Sequence, residues 1–193
     1  MDAADKAGVH CLTLYAFSTE NWSRPRQEVA TLMRLFEQTL QAEVDELHRN
    51  GVRIKVIGRR EQLSTRLQRL VEDAEQRTAD NSVGMLNVAI NYGGRAEIVD
   101  GVRQLASAGA DLSQLEEDQL AGALYTAGLP DPDLIIRTAG EMRTSNFLIW
   151  QAAYAELYVT ETYWPDFGAD DLRAALADYA GRDRRFGGVL EPR

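Results

Sequence analysis

The sequence is short of the residues that many chemistries need. It carries one cysteine, Cys11, in 193 residues, which excludes an internal disulfide framework and fits a reducing, cytoplasmic setting. Its two histidines, His10 and His48, argue against a His/Cys zinc site and against a Ser-His-Asp triad. The apolar runs fall far short of a membrane span and no secretory signal is legible, so no transmembrane segment is expected. Positive charge is in deficit as well. A formal net charge of −9 argues against nucleic acid as the main partner, because a phosphate backbone needs a basic face. Neither G-x-G-x-x-G nor a Walker A sequence occurs, which weakens the case for a dinucleotide or ATP site.

What is present is material for one sizeable core, at 45% hydrophobic residues, and a single domain spanning residues 1–193 is expected. His10–Phe17 reads as a strand too apolar to have a wet face. Residues 26–50 carry Val29, Leu32, Met33, Phe36, Leu40, Val44 and Leu47 on a helical stripe that Gly51 stops. That stripe is core by default, although it also suits a wall for a hydrocarbon. Strand patterns follow at Val52–Ile57, Met85–Asn91 and Leu134–Ile136. Helical patterns cover Arg60 to about Asn81, Ala96 to about Ala108 and Gln114–Thr126, and a last one starts at Asp170. Strands alternating with helices of this length predict an α/β fold with a mostly parallel central sheet.

Three polar loops leave the C-terminal ends of predicted strands: Ser18–Arg24, Tyr92–Arg95 and Arg137–Asn146. In a parallel sheet such loops share an edge, where open α/β folds place their ligand crevice. The edge would collect Arg24, Arg95, Arg137 and Arg143 with Ser18, Asn21 and Ser145, and carboxylates at Glu20, Glu141 and Glu156. Guanidinium forks match phosphate oxygens in pairs, and a carboxylate shares magnesium with a diphosphate. The 137–146 loop equally reads as a surface loop laced with Arg–Glu ion pairs. Trp22 and Trp150 are core aromatics by default.

The segments Leu14-Tyr-Ala-Phe-Ser-Thr-Glu-Asn-Trp22, Asn91-Tyr-Gly-Gly-Arg95 and Pro130-Asp-Pro-Asp133 occur in this order. They are followed by Arg137-Thr-Ala-Gly-Glu-Met-Arg-Thr-Ser-Asn-Phe147, Trp150-Gln-Ala-Ala-Tyr-Ala-Glu-Leu-Tyr158, Trp164-Pro-Asp-Phe167 and Arg185-Phe-Gly-Gly188. Together they resemble the cis-prenyltransferase family over nearly the whole chain. The resemblance implies a cis-prenyltransferase-like α/β fold, not the all-helical trans-prenyltransferase one. It also implies magnesium-dependent condensation of isopentenyl diphosphate with an allylic diphosphate such as farnesyl diphosphate. By position, Ser18, Thr19, Glu20, Trp22 and Arg24 would contact substrate, with Asn21 in the place of a proton acceptor. Arg137, Arg143, Thr144 and Ser145 would hold isopentenyl diphosphate, and Glu156 would bind Mg2+. Arg185, Gly187 and Gly188 would reach into a partner subunit's site, implying a homodimer, and product release would involve peripheral membrane contact.

The resemblance also implies a preceding strand ending in Asp-Gly-Asn-Gly-Arg-Trp, whose loop cradles the allylic diphosphate. That sequence is not among the 193 residues, and a truncated or misassigned start is the expected reason. The alternatives are a non-catalytic partner subunit and a diphosphate-binding module.

Overall fold

A computed structural model of the chain describes residues 1–183. The chain divides into two compact units, Met1–Pro130 and a second that begins at Asp131.

The first unit is built on a three-stranded parallel sheet. Strand β1 (Cys11–Ser18) and strand β2 (Val52–Ile57) flank strand β3 (Gly84–Tyr92). A short helix α1 (Asp2–Lys6) precedes β1. Helix α2 (Arg26–Arg49) lies between β1 and β2 in sequence, α3 (Thr65–Arg77) between β2 and β3, and α4 (Gly94–Ser107) and α5 (Glu117–Ala121) follow β3. The central strand is the most buried: its last six residues, Asn87–Tyr92, are all inaccessible. The main core joins Ile54, Val56, Val88 and Ile90 of the sheet to Val29, Leu40 and Val44 of α2 and Leu67, Val71 and Ala74 of α3. Each fully buried Leu or Val side chain stabilises by roughly 1.5–3 kcal/mol relative to exposure.

The apolar stripe of α2 behaves as its spacing predicts, and Asn50 and Gly51 end the helix, the glycine at φ +71°. Elsewhere the expected boundaries shift for local reasons. Helix α3 starts at Thr65, not Arg60, because the Ser64 hydroxyl accepts from Leu67 N–H at 3.1 Å and fixes the first turn there. Arg60–Gln62 forms a separate 3-10 turn. The expected helix over Gln114–Thr126 shrinks to Glu117–Ala121. Beyond it the chain tightens into i→i−3 bonds such as Ala123 N–H to Leu120 O and Ala127 N–H to Leu124 O. Strand β1 was expected to be buried on both faces, yet only Phe17 is inaccessible along it. An edge strand gives up burial on its unpaired side, and β1 is an edge strand of this sheet among the described residues.

The opposite edge is sealed by side chains that follow β2 in sequence. Asn81 Nδ2 donates to Val52 O at 2.8 Å, Ile54 N–H to Thr78 Oγ1 at 3.0 Å, and Val56 N–H to Glu75 Oε1 at 2.7 Å. The Arg60 guanidinium bonds Val56 O and also reaches the Glu75 carboxylate, at 2.6 Å. Val52, Ile54 and Val56 thus each have at least one outward backbone group satisfied.

In the second unit, β4 (Leu134–Arg137) pairs in parallel with β5 (Glu156–Val159), and α6 spans Ala169–Ala180. The apolar run Leu157–Tyr163 is extended only to Val159. Thr160 Oγ1 then accepts from Thr162 N–H at 3.2 Å, and Tyr163 and Trp164 are exposed. No helix among the described residues is long and apolar enough to cross a membrane.

Candidate functional site

Two of the three polar loops leave the same end of the first unit's sheet. Ser18 and Tyr92 are register partners at the ends of β1 and β3, so the Ser18–Arg24 and Tyr92–Arg95 segments begin side by side. Thr19–Ser23 winds into a 3-10 turn. Its entry is closed by Asn21, whose Oδ1 accepts from Ser18 N–H at 2.9 Å. The expected proton acceptor therefore already uses its oxygen as a cap and presents its amide nitrogen, a donor, as its other polar atom. Thr19 Oγ1 donates to Glu20 Oε2 at 3.1 Å, and Ser23 Oγ donates to Glu20 O at 2.8 Å. Arg24 pairs with Glu28 one helical turn on, at 2.8 Å, with both side chains about half exposed.

Trp22 is 40% exposed but not loose. Its ring meets Phe17 edge-on at 5.2 Å and its Nε1–H donates to Asn91 Oδ1 at 2.7 Å. Asn91 sits at φ +48° and is fully buried. The sequence placed Asn91 only inside a motif. Nothing in its periodicity announces that it joins the two loops. Behind it, Arg59 chelates Asp100 through Nε at 2.7 Å and Nη2 at 2.9 Å, and Tyr125 Oη also donates to Asp100. The bonded Arg59 guanidinium holds the Asp100 carboxyl below the ordinary carboxylate range. Arg95 lies exposed in the first turn of α4.

In the second unit, the loop after β4 gathers Arg137, Arg143 and Ser145 around one carboxylate. Glu141 bonds Arg137 through Oε2 and Arg143 through Oε1, the latter at 2.5 Å. Arg137 Nη2 also approaches Ser145 Oγ at 3.4 Å, and its buried Nε has no partner among the described residues. The Arg137 hydrogen bond, with Arg143 adding charge, holds Glu141 below the usual carboxylate range. The loop is laced with Arg–Glu ion pairs, and both guanidinium groups meet the same carboxylate. Thr144 is exposed beside them.

This loop is also where the backbone is strained. Of the five non-glycine residues at positive φ among the described residues, four lie here: Ala139, Ser145, Asn146 and Leu148. Such conformations cost roughly 1–3 kcal/mol each and cluster at binding sites. The loop is held in place by Ala139 N–H to Thr162 O at 3.0 Å and Gly140 N–H to Thr160 O at 2.9 Å. Position 140 favours glycine, since its φ of +65° strains most side chains and a Cβ would stand 2.6 Å from the end of the exposed Glu161 side chain.

Glu156, the expected metal ligand, opens β5 with its side chain 31% exposed, and Oε2 accepts from Arg182 Nη1 at 2.7 Å. No group of three or more His, Cys, Asp or Glu among the described residues is arranged around a metal position. A single partly exposed carboxylate suits an ion that takes most of its ligands from water and phosphate oxygens, as magnesium does. Arg185, Gly187 and Gly188 lie outside the described residues.

Comparison with known proteins identifies the family. The prenyltransferase family model for undecaprenyl diphosphate synthase matches residues 1–187. An isoprenyl transferase of Clostridium perfringens is 49% identical over 189 residues, covering 96% of this chain and 75% of the relative. A ditrans,polycis-undecaprenyl-diphosphate synthase of Aliivibrio fischeri, (2E,6E)-farnesyl-diphosphate specific, is 46% identical over 191 residues, covering 97% and 74%. Among solved structures, lavandulyl diphosphate synthase from Lavandula x intermedia, in complex with dimethylallyl diphosphate, superposes with a TM-score of 0.92 at 36% identity. It covers 96% of this chain and 82% of that one. A probable undecaprenyl diphosphate synthase from Campylobacter jejuni gives 0.87 at 31%, covering 97% and 88%. With this parallel α/β architecture, the chain belongs to the undecaprenyl diphosphate synthase family of cis-prenyltransferases.

Proposed function

We propose that the protein condenses isopentenyl diphosphate with an allylic diphosphate, farnesyl diphosphate in the first instance, and extends it to a cis-polyprenyl diphosphate. The observation that carries this reading is the convergence of Arg137, Arg143 and Ser145 in a strained loop, in a chain nearly half identical to isoprenyl transferases. Two guanidinium forks held a carboxylate's width apart present the donor pattern a diphosphate needs. In this reading Arg137 and Arg143 bind the isopentenyl diphosphate, with Ser145 and Thr144 adding neutral donors.

Ser18, Thr19, Glu20, Trp22 and Arg24 also contact substrate. Asn21, its oxygen spent on the cap, orients the reacting ends rather than acting as a strong base, because a neutral amide is a poor proton acceptor. Glu156 would hold Mg2+ through the carboxylate that now pairs with Arg182, and the ion would supply positive charge for a diphosphate leaving group. Residues 1–193 belong to one catalytic domain, N-terminally incomplete, that works in a cytoplasmic homodimer. Arg185, Gly187 and Gly188 serve the partner's site, and the dimer touches the membrane surface to release product.

The test is incorporation of labelled isopentenyl diphosphate onto farnesyl diphosphate by the chain, with and without magnesium. Expected is magnesium-dependent polyprenyl product that is lost on chelation and in Arg137→Ala. A properly folded full-length form that makes none overturns the assignment, whereas isopentenyl diphosphate binding without turnover, lost in Arg137→Ala, supports the diphosphate-binding alternative.

A further inference from the structure

Asn91 does three things with one side chain. Its Oδ1 accepts from Trp22 Nε1–H at 2.7 Å, while its Nδ2 donates to Arg59 O and to Gln62 Oε1, both at 2.9 Å. The amide orientation is forced by these partners. Turned over, it would set a donor against the indole N–H and an acceptor against a carbonyl. Its backbone is in the left-handed region, φ +48°, which few residues besides glycine, asparagine and aspartate adopt readily. Of these, only asparagine offers one acceptor and two donors in a plane.

The place is built for it. Arg59 N–H donates to Asn91 O at 3.1 Å. The chain leaving β2 crosses the end of β3 so closely that a Cβ on Gly58 would stand 2.0 Å from Ile90 O. A fully buried amide is thereby anchored on two sides and points its free oxygen at a tryptophan that is 40% exposed. The indole, with Phe17 against its ring and Asn91 on its N–H, keeps one orientation while one side stays open to solvent.

We infer that Asn91, braced by Gln62 and the Arg59 carbonyl, is a positioning residue that fixes the Trp22 ring in the orientation used to contact substrate. This rests on Trp22 being a substrate contact, as proposed above. It adds that the contact is set from the end of β3 rather than from within the Ser18–Arg24 loop.

The test uses the three tryptophans of the chain as reporters, through their indole N–H signals in 15N-labelled protein, with Trp22 assigned by its loss in Trp22→Phe. In Asn91→Gly, which keeps the left-handed backbone and removes only the amide, the Trp22 proton should exchange with solvent at least about fivefold faster, as expected for one lost hydrogen bond. The other two signals should not move. Gln62→Ala, at an exposed position, should give a smaller change of the same sign, and it serves as the test if Asn91→Gly fails to fold. The kinetic arm is a double-variant cycle. Asn91→Gly and Trp22→Phe should each lower kcat/KM by about fivefold to tenfold, and the double variant should be no worse than the poorer single one. An unchanged Trp22 signal in both Asn91→Gly and Gln62→Ala, or losses that simply multiply in the double variant, overturns the inference. A chain that makes no product defeats the functional reading alone, because the exchange measurement needs no turnover.

Discussion

The Ser18–Arg24 and Arg137–Asn146 loops both leave the C-terminal end of a parallel strand, yet they are held by different forces. The first is shaped by neutral hydrogen bonds: Asn21 caps Ser18, and Asn91 holds Trp22. The second is shaped by charge, with Glu141 between Arg137 and Arg143, on a backbone strained at several positions. Neutral bonds are indifferent to salt and to pH, so the first loop offers a fixed surface. Charged pairs in partly exposed positions are screened and exchangeable, so the second holds its shape less firmly against salt and acid.

The comparison breaks most severely at Gly58. With a φ of +120° and a Cβ that would lie 2.0 Å from Ile90 O, Gly58→Ala should cost about 3 kcal/mol or more in a urea titration, since both strain and backbone clash arise. A loss under about 1 kcal/mol would mean that the crossing over β3 is not tight. Next is Arg137→Lys, which keeps the charge and loses the fork. It should raise KM for isopentenyl diphosphate by about tenfold with little change in folding stability, and an unchanged KM would show that the Arg137 fork does not grip the diphosphate. Glu141→Gln should raise the same KM about threefold, because the two guanidinium groups lose the carboxylate that sets their spacing. The Trp22 signal should stay in place.

Acid should separate the supports. Asp100 titrates lower in the folded chain than in the unfolded one, chiefly because Arg59 bonds it. Its pairing therefore stabilises the fold above the ordinary carboxylate range, and that contribution fades as pH falls through the lowered value. Asp100→Asn should be less stable than the parent at pH 7, and the gap should narrow steadily below about pH 4; a gap constant with pH would show that the charge is irrelevant. The smallest effect belongs to Arg24→Ala. Its exposed pair with Glu28 is worth about 0.5 kcal/mol or less, so any larger drop in thermal stability would give Arg24 a structural task that the first loop does not otherwise show.

Much of this was legible in the chain. The helical stripe from Val29 to Leu47 and the strand patterns at Val52–Ile57 and Met85–Asn91 depend on local periodicity, which survives packing. The polar loops were found because they follow strands, and Arg137, Arg143 and Ser145 do come together. What stayed hidden was set by contacts distant in sequence. The start of α3 moved because Ser64 caps it and Arg60 turns back to β2 and Glu75. The burial expected of β1 was lost because composition does not reveal which strand takes the centre of a sheet. Asn91 escaped notice because a left-handed backbone and a partner 69 residues away leave no mark on spacing. Glu156 could be matched to a family's metal ligand, but its ion pair with Arg182 could not.

The sealing of β2 by Glu75, Thr78 and Asn81 also sets a schedule for the chain as it is made. The strand is complete at Ile57, whereas the groups that cover its outward edge emerge about 20 residues later. At typical synthesis rates of roughly 5–20 residues per second, the edge stands open for a few seconds at most. Because strand and cover are contiguous, the cover closes by a local step before β3 has been fully synthesised. The cover of this edge thus lies within the next 24 residues of chain, Ile57 to Asn81, and does not wait on the sheet's centre.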